Sequence, residues 1–143
     1  MLLMFGVFVL VVAADQSSKA LVVTRLREGM ATSAIVGIRL RHVVNRRRPW
    51  GSVTGVRVMI LAWIVLIAAA CVIASIADKT AVYIALGTIM AGATGNLLDG
   101  VSRQGVTDFI DFRVWPVFNV ADAAIVAGAT FIAWSAARAL FTR

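Results

Sequence analysis

The chain has 143 residues, of which 61% are hydrophobic, with a mean hydropathy of +0.92 and a net charge of +7. One soluble domain of this size cannot bury that much apolar surface, so a membrane is the natural solvent and the chain is expected to form a single membrane domain over 1–143. With Cys71 the only cysteine and His42 the only histidine, an intrachain disulfide framework and a Cys/His metal cluster are excluded, and neither metal nor cofactor is expected.

Residues 1–14 are uncharged and apolar and are predicted to open a first spanning helix over about 1–23. Asp15 and Lys19 stand four apart on it and share a helix face. The next stretch, 25–57, carries eight arginines: Arg25, Arg27, Arg39, Arg41, Arg46, Arg47, Arg48 and Arg57. Within it Arg39, Leu40 and Arg41 alternate as a strand does, which predicts a small extramembrane β element over about 30–55. His42 reads as a loop or interfacial residue. Residues 58–77 are an uncharged second span, with Cys71 as a small packing residue, and Ala77-Asp78-Lys79 makes a tight connection. A third span, 80–98, holds Gly87, Ala91, Gly92, Ala93 and Gly95, small residues that allow close helix contact. After a polar interlude, a fourth span covers about 119–137. The expected fold is an all-α membrane protein of four transmembrane helices with a small β element at one face.

Four spans place both termini on one side, and six of the seven acids then gather toward the other: Asp15, Glu28, Asp99, Asp108, Asp111 and Asp122. Ionisable groups beside hydrocarbon are costly and mark function. Two carboxylates held close share a proton, so that one can act on a water while the other polarises a carbonyl, with no metal, serine or cysteine required. Asn119 is a predicted N-cap that makes Asp122 the third helical residue, so helix stabilisation and chemistry both remain open for Asp122. Asp108 and Asp111, three apart, share a face in a helical turn and oppose each other in a strand. Asp99 closes the third helix, where an acid needs a cationic partner; Arg103 is the nearby candidate.

Three stretches then stand in order: Gly95-Asn96-Leu97-Leu98-Asp99, Gly105-Val106-Thr107-Asp108-Phe109-Ile110-Asp111-Phe112, and Trp115-Pro116-Val117-Phe118-Asn119-Val120-Ala121-Asp122-Ala123-Ala124-Ile125. With Asp15-Gln16-Ser17-Ser18-Lys19 upstream, they strongly resemble the lipoprotein signal peptidase (type II signal peptidase) family over nearly the whole chain. The resemblance implies an aspartyl endopeptidase of the bacterial cytoplasmic membrane that removes signal peptides from prolipoproteins, cutting before a diacylglyceryl-modified cysteine. Asp108 and Asp122 match the family's catalytic pair. Asp15, Lys19, Asn45, Asn96, Asp99, Asn119 and Ala121 match residues that shape or support the site, and Asp111 is left as structural or interfacial. A monomer that binds prolipoprotein signal peptides and anionic lipids, and no nucleic acid, is expected.

Two places depart from the family pattern. The arginine that follows Asp99 in the family is Gly100 here, and the glycine-bearing loop after Asn45 reads Arg46-Arg47-Arg48-Pro49-Trp50-Gly51. Proline removes a backbone donor, and arginine lacks glycine's freedom to adopt a left-handed backbone. An altered loop motivates a rival reading, a non-catalytic relative that binds lipopeptides or a peptide antibiotic. Orientation is a second tension. The family's topology puts both termini in the cytoplasm and the acids toward the outer face, whereas the arginine-rich 25–57 segment would, by the positive-inside rule, lie in the cytoplasm.

Overall fold

The computed structural model describes residues 1–35, 37–46, 53–76 and 80–141. In chain order these form α1 (Leu2–Arg25), β1 (Ala31–Ile35), β2 (Ile38–Asn45), α2 (Val53–Ile76), α3 (Thr80–Ser102), β3 (Val106–Asp111) and α4 (Val120–Phe141). All four helices are long and apolar enough to cross a membrane. Proline-free apolar sequence lets each run uninterrupted, because in hydrocarbon a backbone must satisfy its own hydrogen bonds. Their outer faces expose Leu2, Phe5, Leu10, Leu61, Val65, Val72 and Val126, as expected of helices solvated by lipid.

The centre of the bundle is α3, which packs against α1, α2 and α4; among the described residues α2 touches no other helix. Small residues make the central contacts possible. A Cβ on Gly87 would lie 2.6 Å from the Met4 carbonyl oxygen of α1, and one on Gly128 2.8 Å from the Ala85 carbonyl oxygen of α3. At Gly92 it would strike the Ala121 carbonyl oxygen and stand 2.8 Å from Ile125 Cγ1. Backbone carbonyls cannot swing aside as a long side chain can. Gly92→Ala should therefore push α4 off α3 and cost about 1–3 kcal/mol, read as a lower melting temperature in detergent.

Sheet order is β1-β2-β3, antiparallel throughout. The expected small β element is present, but it also recruits β3 from the stretch read as a polar interlude. Its first two strands end at Asn45, and α2 starts at Val53, earlier than the expected 58. Three residue-level expectations need correction. The third helix does not close at Asp99 but runs on to Ser102, because Asp99 finds cationic partners and the dipole penalty is offset. His42 is no loop residue: it is buried on β2. Cys71 is exposed, not packed, on a helix that among the described residues touches only α3. The Ala77-Asp78-Lys79 connection and the Arg47–Gly51 part of the altered loop lie outside the described residues.

Candidate active site

At the sheet-side end of the bundle, polar side chains from α1, α3, β3 and the start of α4 meet in a buried cluster. Its anchor is Lys19, fully buried on α1. Lys19 Nζ lies 2.8 Å from Asp15 Oδ2 and 3.3 Å from Asp99 Oδ2, and donates to Asn96 Oδ1 at 3.2 Å. The i, i+4 spacing read from the sequence thus places Asp15 and Lys19 in contact. Asp99 also pairs with Arg103, one turn along. Arg103 is thus the cationic partner that the sequence suggested for Asp99. Two acids and two bases balance, and a buried ion pair persists only with such balance and with its remaining lone pairs satisfied.

Those lone pairs tie the elements together. Asp15 Oδ1 accepts the Ala121 backbone N–H at 2.9 Å, and Asp99 Oδ2 accepts the Thr107 N–H at 2.9 Å. One carboxylate docks the start of α4 onto α1, and the other docks β3 onto α3. Gln16, which sequence reasoning passed over, bridges Asp15 at 3.0 Å and the Gly95 carbonyl at 3.1 Å. Its place inside the Asp15–Lys19 motif was the available signal. Gly95 itself has no room for a Cβ, which would strike Asp15 Oδ2.

Asn119 stands between the two candidate acids. Its side-chain amide donates to Asp108 Oδ1 at 2.8 Å, while its backbone N–H donates to Asp122 Oδ2 at 3.2 Å. The Asn119 Oδ1 in turn accepts the Asp122 N–H at 2.9 Å. This reciprocal pair is a capping box for α4, so Asp122 does serve the helix start. It has a second bond too: Asp122 Oδ1 accepts from Asn96 Nδ2 at 2.8 Å. Capping and placement in the polar cluster are both served by one side chain. Asn45, on β2, reaches Asp108 Oδ2 at 3.5 Å.

Asp108 is only 5% exposed and its carboxyl is pushed up to about 6, first by burial and then by the charge of Asp122. Hydrogen bonds from Asn119 and Asn45 and the charge of Lys19 oppose that rise. Asp111 belongs elsewhere. A strand turns it to the opposite face from Asp108, where it pairs with Arg39 at 2.6 Å and accepts the Arg113 N–H at 2.7 Å. The Arg113 amide, helped by Arg39, holds its carboxyl below the ordinary range against the effect of burial. Of the expected site residues, Asp15, Lys19, Asn45, Asn96, Asp99, Asp108, Asn119, Ala121 and Asp122 all join one connected network, and Asp111 stays outside it. Arg46, the described residue of the altered loop, makes a bidentate pair with Glu28 at 2.5 and 3.0 Å.

Beside the network an apolar groove of about 420 Å³ runs between α2, α3 and α4. Val58, Met59, Trp63 and Leu66 of α2, Leu97 of α3 and Ile125 of α4 line it, together with Asn96, the partner of Asp122. An apolar segment lying in this groove would contact Asn96, which ties it to the network. The described residues include no cluster of His, Cys, Asp and Glu suited to a metal ion.

Comparison with known proteins adds a family frame. A family model described as signal peptidase II matches residues 7–138. The lipoprotein signal peptidase of Pelotomaculum thermopropionicum is 32% identical over 136 residues, 92% of this chain and 90% of that one. That of Syntrophomonas wolfei is 39% identical over 127 residues, 87% and 85% of the two chains. A solved bacterial membrane enzyme superposes with a TM-score of 0.82 at 26% identity, covering 94% of this chain and 87% of its own.

Proposed function

Because the chain belongs to the signal peptidase II family, we propose that it is an aspartic endopeptidase in which Asp108 and Asp122 together activate a water. Its task as a family member is to cleave signal peptides from prolipoproteins. The observation that carries the aspartic reading is the bridge through Asn119, which hydrogen-bonds both carboxyls from one residue. The charge of Asp122, together with burial, raises the Asp108 carboxyl, which favours a proton held there.

The roles divide by environment. Asp122 accepts hydrogen bonds on both oxygens, from Asn119 and Asn96, and is suited to draw a proton from water. Asp108, with its carboxyl raised to about 6, is the member that keeps a proton. A protonated Asp108 polarises the scissile carbonyl as the water attacks, and the proton taken by Asp122 passes to the leaving amine. The cut falls before a diacylglyceryl-modified cysteine, with the signal segment or an acyl chain in the groove beside Trp63. The acids lie toward the outer face of the bacterial cytoplasmic membrane, both termini are cytoplasmic, and the enzyme acts as a monomer. Arginines outside the ion pairs, such as Arg25 and Arg27, suit anionic headgroups.

The deciding experiment is hydrolysis of a lipidated prolipoprotein peptide by the purified protein in detergent. Product that disappears with Asp108→Asn supports the reading; tight binding of the peptide with no product would instead favour a non-catalytic binder. A pH profile tests the division of roles. If Asp108 must hold the proton, kcat/KM should decline as pH rises through about 6, the apparent value belonging to the pair. A profile flat from pH 5 to 8 would contradict it.

A further inference from the structure

Asn45 reaches Asp108 only because β2 carries one residue too many. At one end of the pairing with β3, Arg39 lies opposite Asp111 and Leu40 opposite Ile110; at the other, Val43 lies opposite Asp108 and Asn45 opposite Val106. Arg41 and His42 together thus face the single residue Phe109, which is a β-bulge. Residues paired across a ladder share a face of the sheet, and residues an even number apart on a regular strand share it too. Arg39 and Asn45 are six apart, so an unbulged β2 would leave Asn45 on the face of Arg39 and Asp111. The bulge moves it to the face of Asp108, since a one-residue slip reverses every side chain beyond it.

His42 sits in that bulge and is held from the side away from β3. Its N–H donates to the Met30 carbonyl at 3.0 Å and its carbonyl accepts the Gly29 N–H at 2.8 Å. Its ring Nδ1 lies 2.8 Å from the carbonyl oxygen of Leu26, the C-cap of α1. A carbonyl only accepts, so Nδ1 carries the proton. Phe109, opposite the bulge, gives its N–H to the Phe118 carbonyl at 3.0 Å. The bulge is thus tied to α1, the helix that brings Asp15 and Lys19 to the cluster.

We propose that His42 is a positioning residue of the hydrolytic site: anchored on Leu26, it fixes the bulge that turns Asn45 onto Asp108. The inference rests on the reading of Asp108 as a reacting carboxyl. His42 itself touches no reacting group; Glu28 and its chain neighbour Arg41 are charged groups near it, while Asp122 and Lys19 are near Asp108. Asn45 opposes the rise in the Asp108 carboxyl. Losing it should therefore move the descending limb of the pH profile upward.

Peptide hydrolysis is measured across pH for four variants: Asn45→Ala, His42→Val, His42→Asn, and His42→Val combined with Asn45→Ala. Asn45→Ala should lower kcat about 10-fold and raise the limb by roughly half a pH unit. His42→Val, which suits a strand, should do the same, and the double variant should lose no more than about twofold beyond either single change. His42→Asn, whose amide replaces the Nδ1 donor, should return the limb to its original place. Independent, multiplicative losses in the double variant would overturn the proposal, as would a limb unmoved in His42→Val. Should His42→Val not fold, His42→Ala is read in its place. An Asn45→Ala enzyme with unchanged rate and limb overturns the proposal by itself. Failure of the underlying reading looks different: Asp108→Asn would then retain turnover.

Discussion

Asp108→Asn should abolish turnover and at the same time make the folded protein more resistant to heat at neutral and alkaline pH. The first half follows from the proposed chemistry. Removing a positioned acid–base group costs about 10²–10⁴-fold in rate, and an amide can neither hold nor release the shared proton. The second half follows from linkage. Burial and Asp122 raise the Asp108 carboxyl to about 6 in the folded protein, from an ordinary 3.8. A carboxyl raised on folding lends stability that is fully present below pH 3.8 and is lost as pH climbs through about 6. At pH 8 the native protein carries an ionised Asp108 that it would sooner protonate. The asparagine escapes that cost, roughly 1–3 kcal/mol, and its side-chain oxygen still accepts from Asn119. The variant's advantage in melting temperature should be largest near pH 8 and vanish below pH 4. Asp122→Asn should be equally inactive yet folded. Turnover retained in either purified variant would end the aspartic assignment, and a melting difference that does not depend on pH would refute the strained state of Asp108.

Much of this site was legible before any coordinates. The i, i+4 pair of Asp15 and Lys19, the Asn119 cap and the candidate pairing of Asp99 with Arg103 are local relations, set by helix geometry over a turn or so, and they stand as read. What was hidden is long-range. Nothing near Thr107 says that its N–H will cap Asp99, because that contact depends on β3 pairing with β2. Asp108 and Asp111 could not be assigned faces until the stretch proved to be a strand, which sends one to the cluster and the other to Arg39. The bulge was invisible for a similar reason: alternation in Arg39-Leu40-Arg41 predicted a strand, but a register slip shows only against a partner. His42 and Cys71 were misread because a strand can bury a histidine whose donor finds a carbonyl, and a lipid-facing helix can leave a cysteine on its surface.

Lys19→Met should be the most damaging single change in the cluster, and the damage should be reversible by a second substitution. Methionine fills much the same volume but brings no charge. Asp99 would keep Arg103, whereas Asp15 would lose its only ion-pair partner among the described residues. Removing one partner of a buried pair typically costs about 3–5 kcal/mol, because the other charge stays buried and uncompensated. Since Asp15 also receives the Ala121 N–H, the fault would spread to the start of α4, where Asp122 is held. The purified variant should therefore melt well below the parent and lose activity as well. Adding Asp15→Asn removes the stranded charge while its side-chain oxygen can still accept from Ala121. The double variant should regain most of the lost stability, although neither native charge is restored. If Lys19→Met/Asp15→Asn melts no higher than Lys19→Met, the cost does not lie in the unpaired carboxylate. If Lys19→Met alone melts like the parent, the ion cluster is not what holds α1, α3 and α4 in register around the two acids.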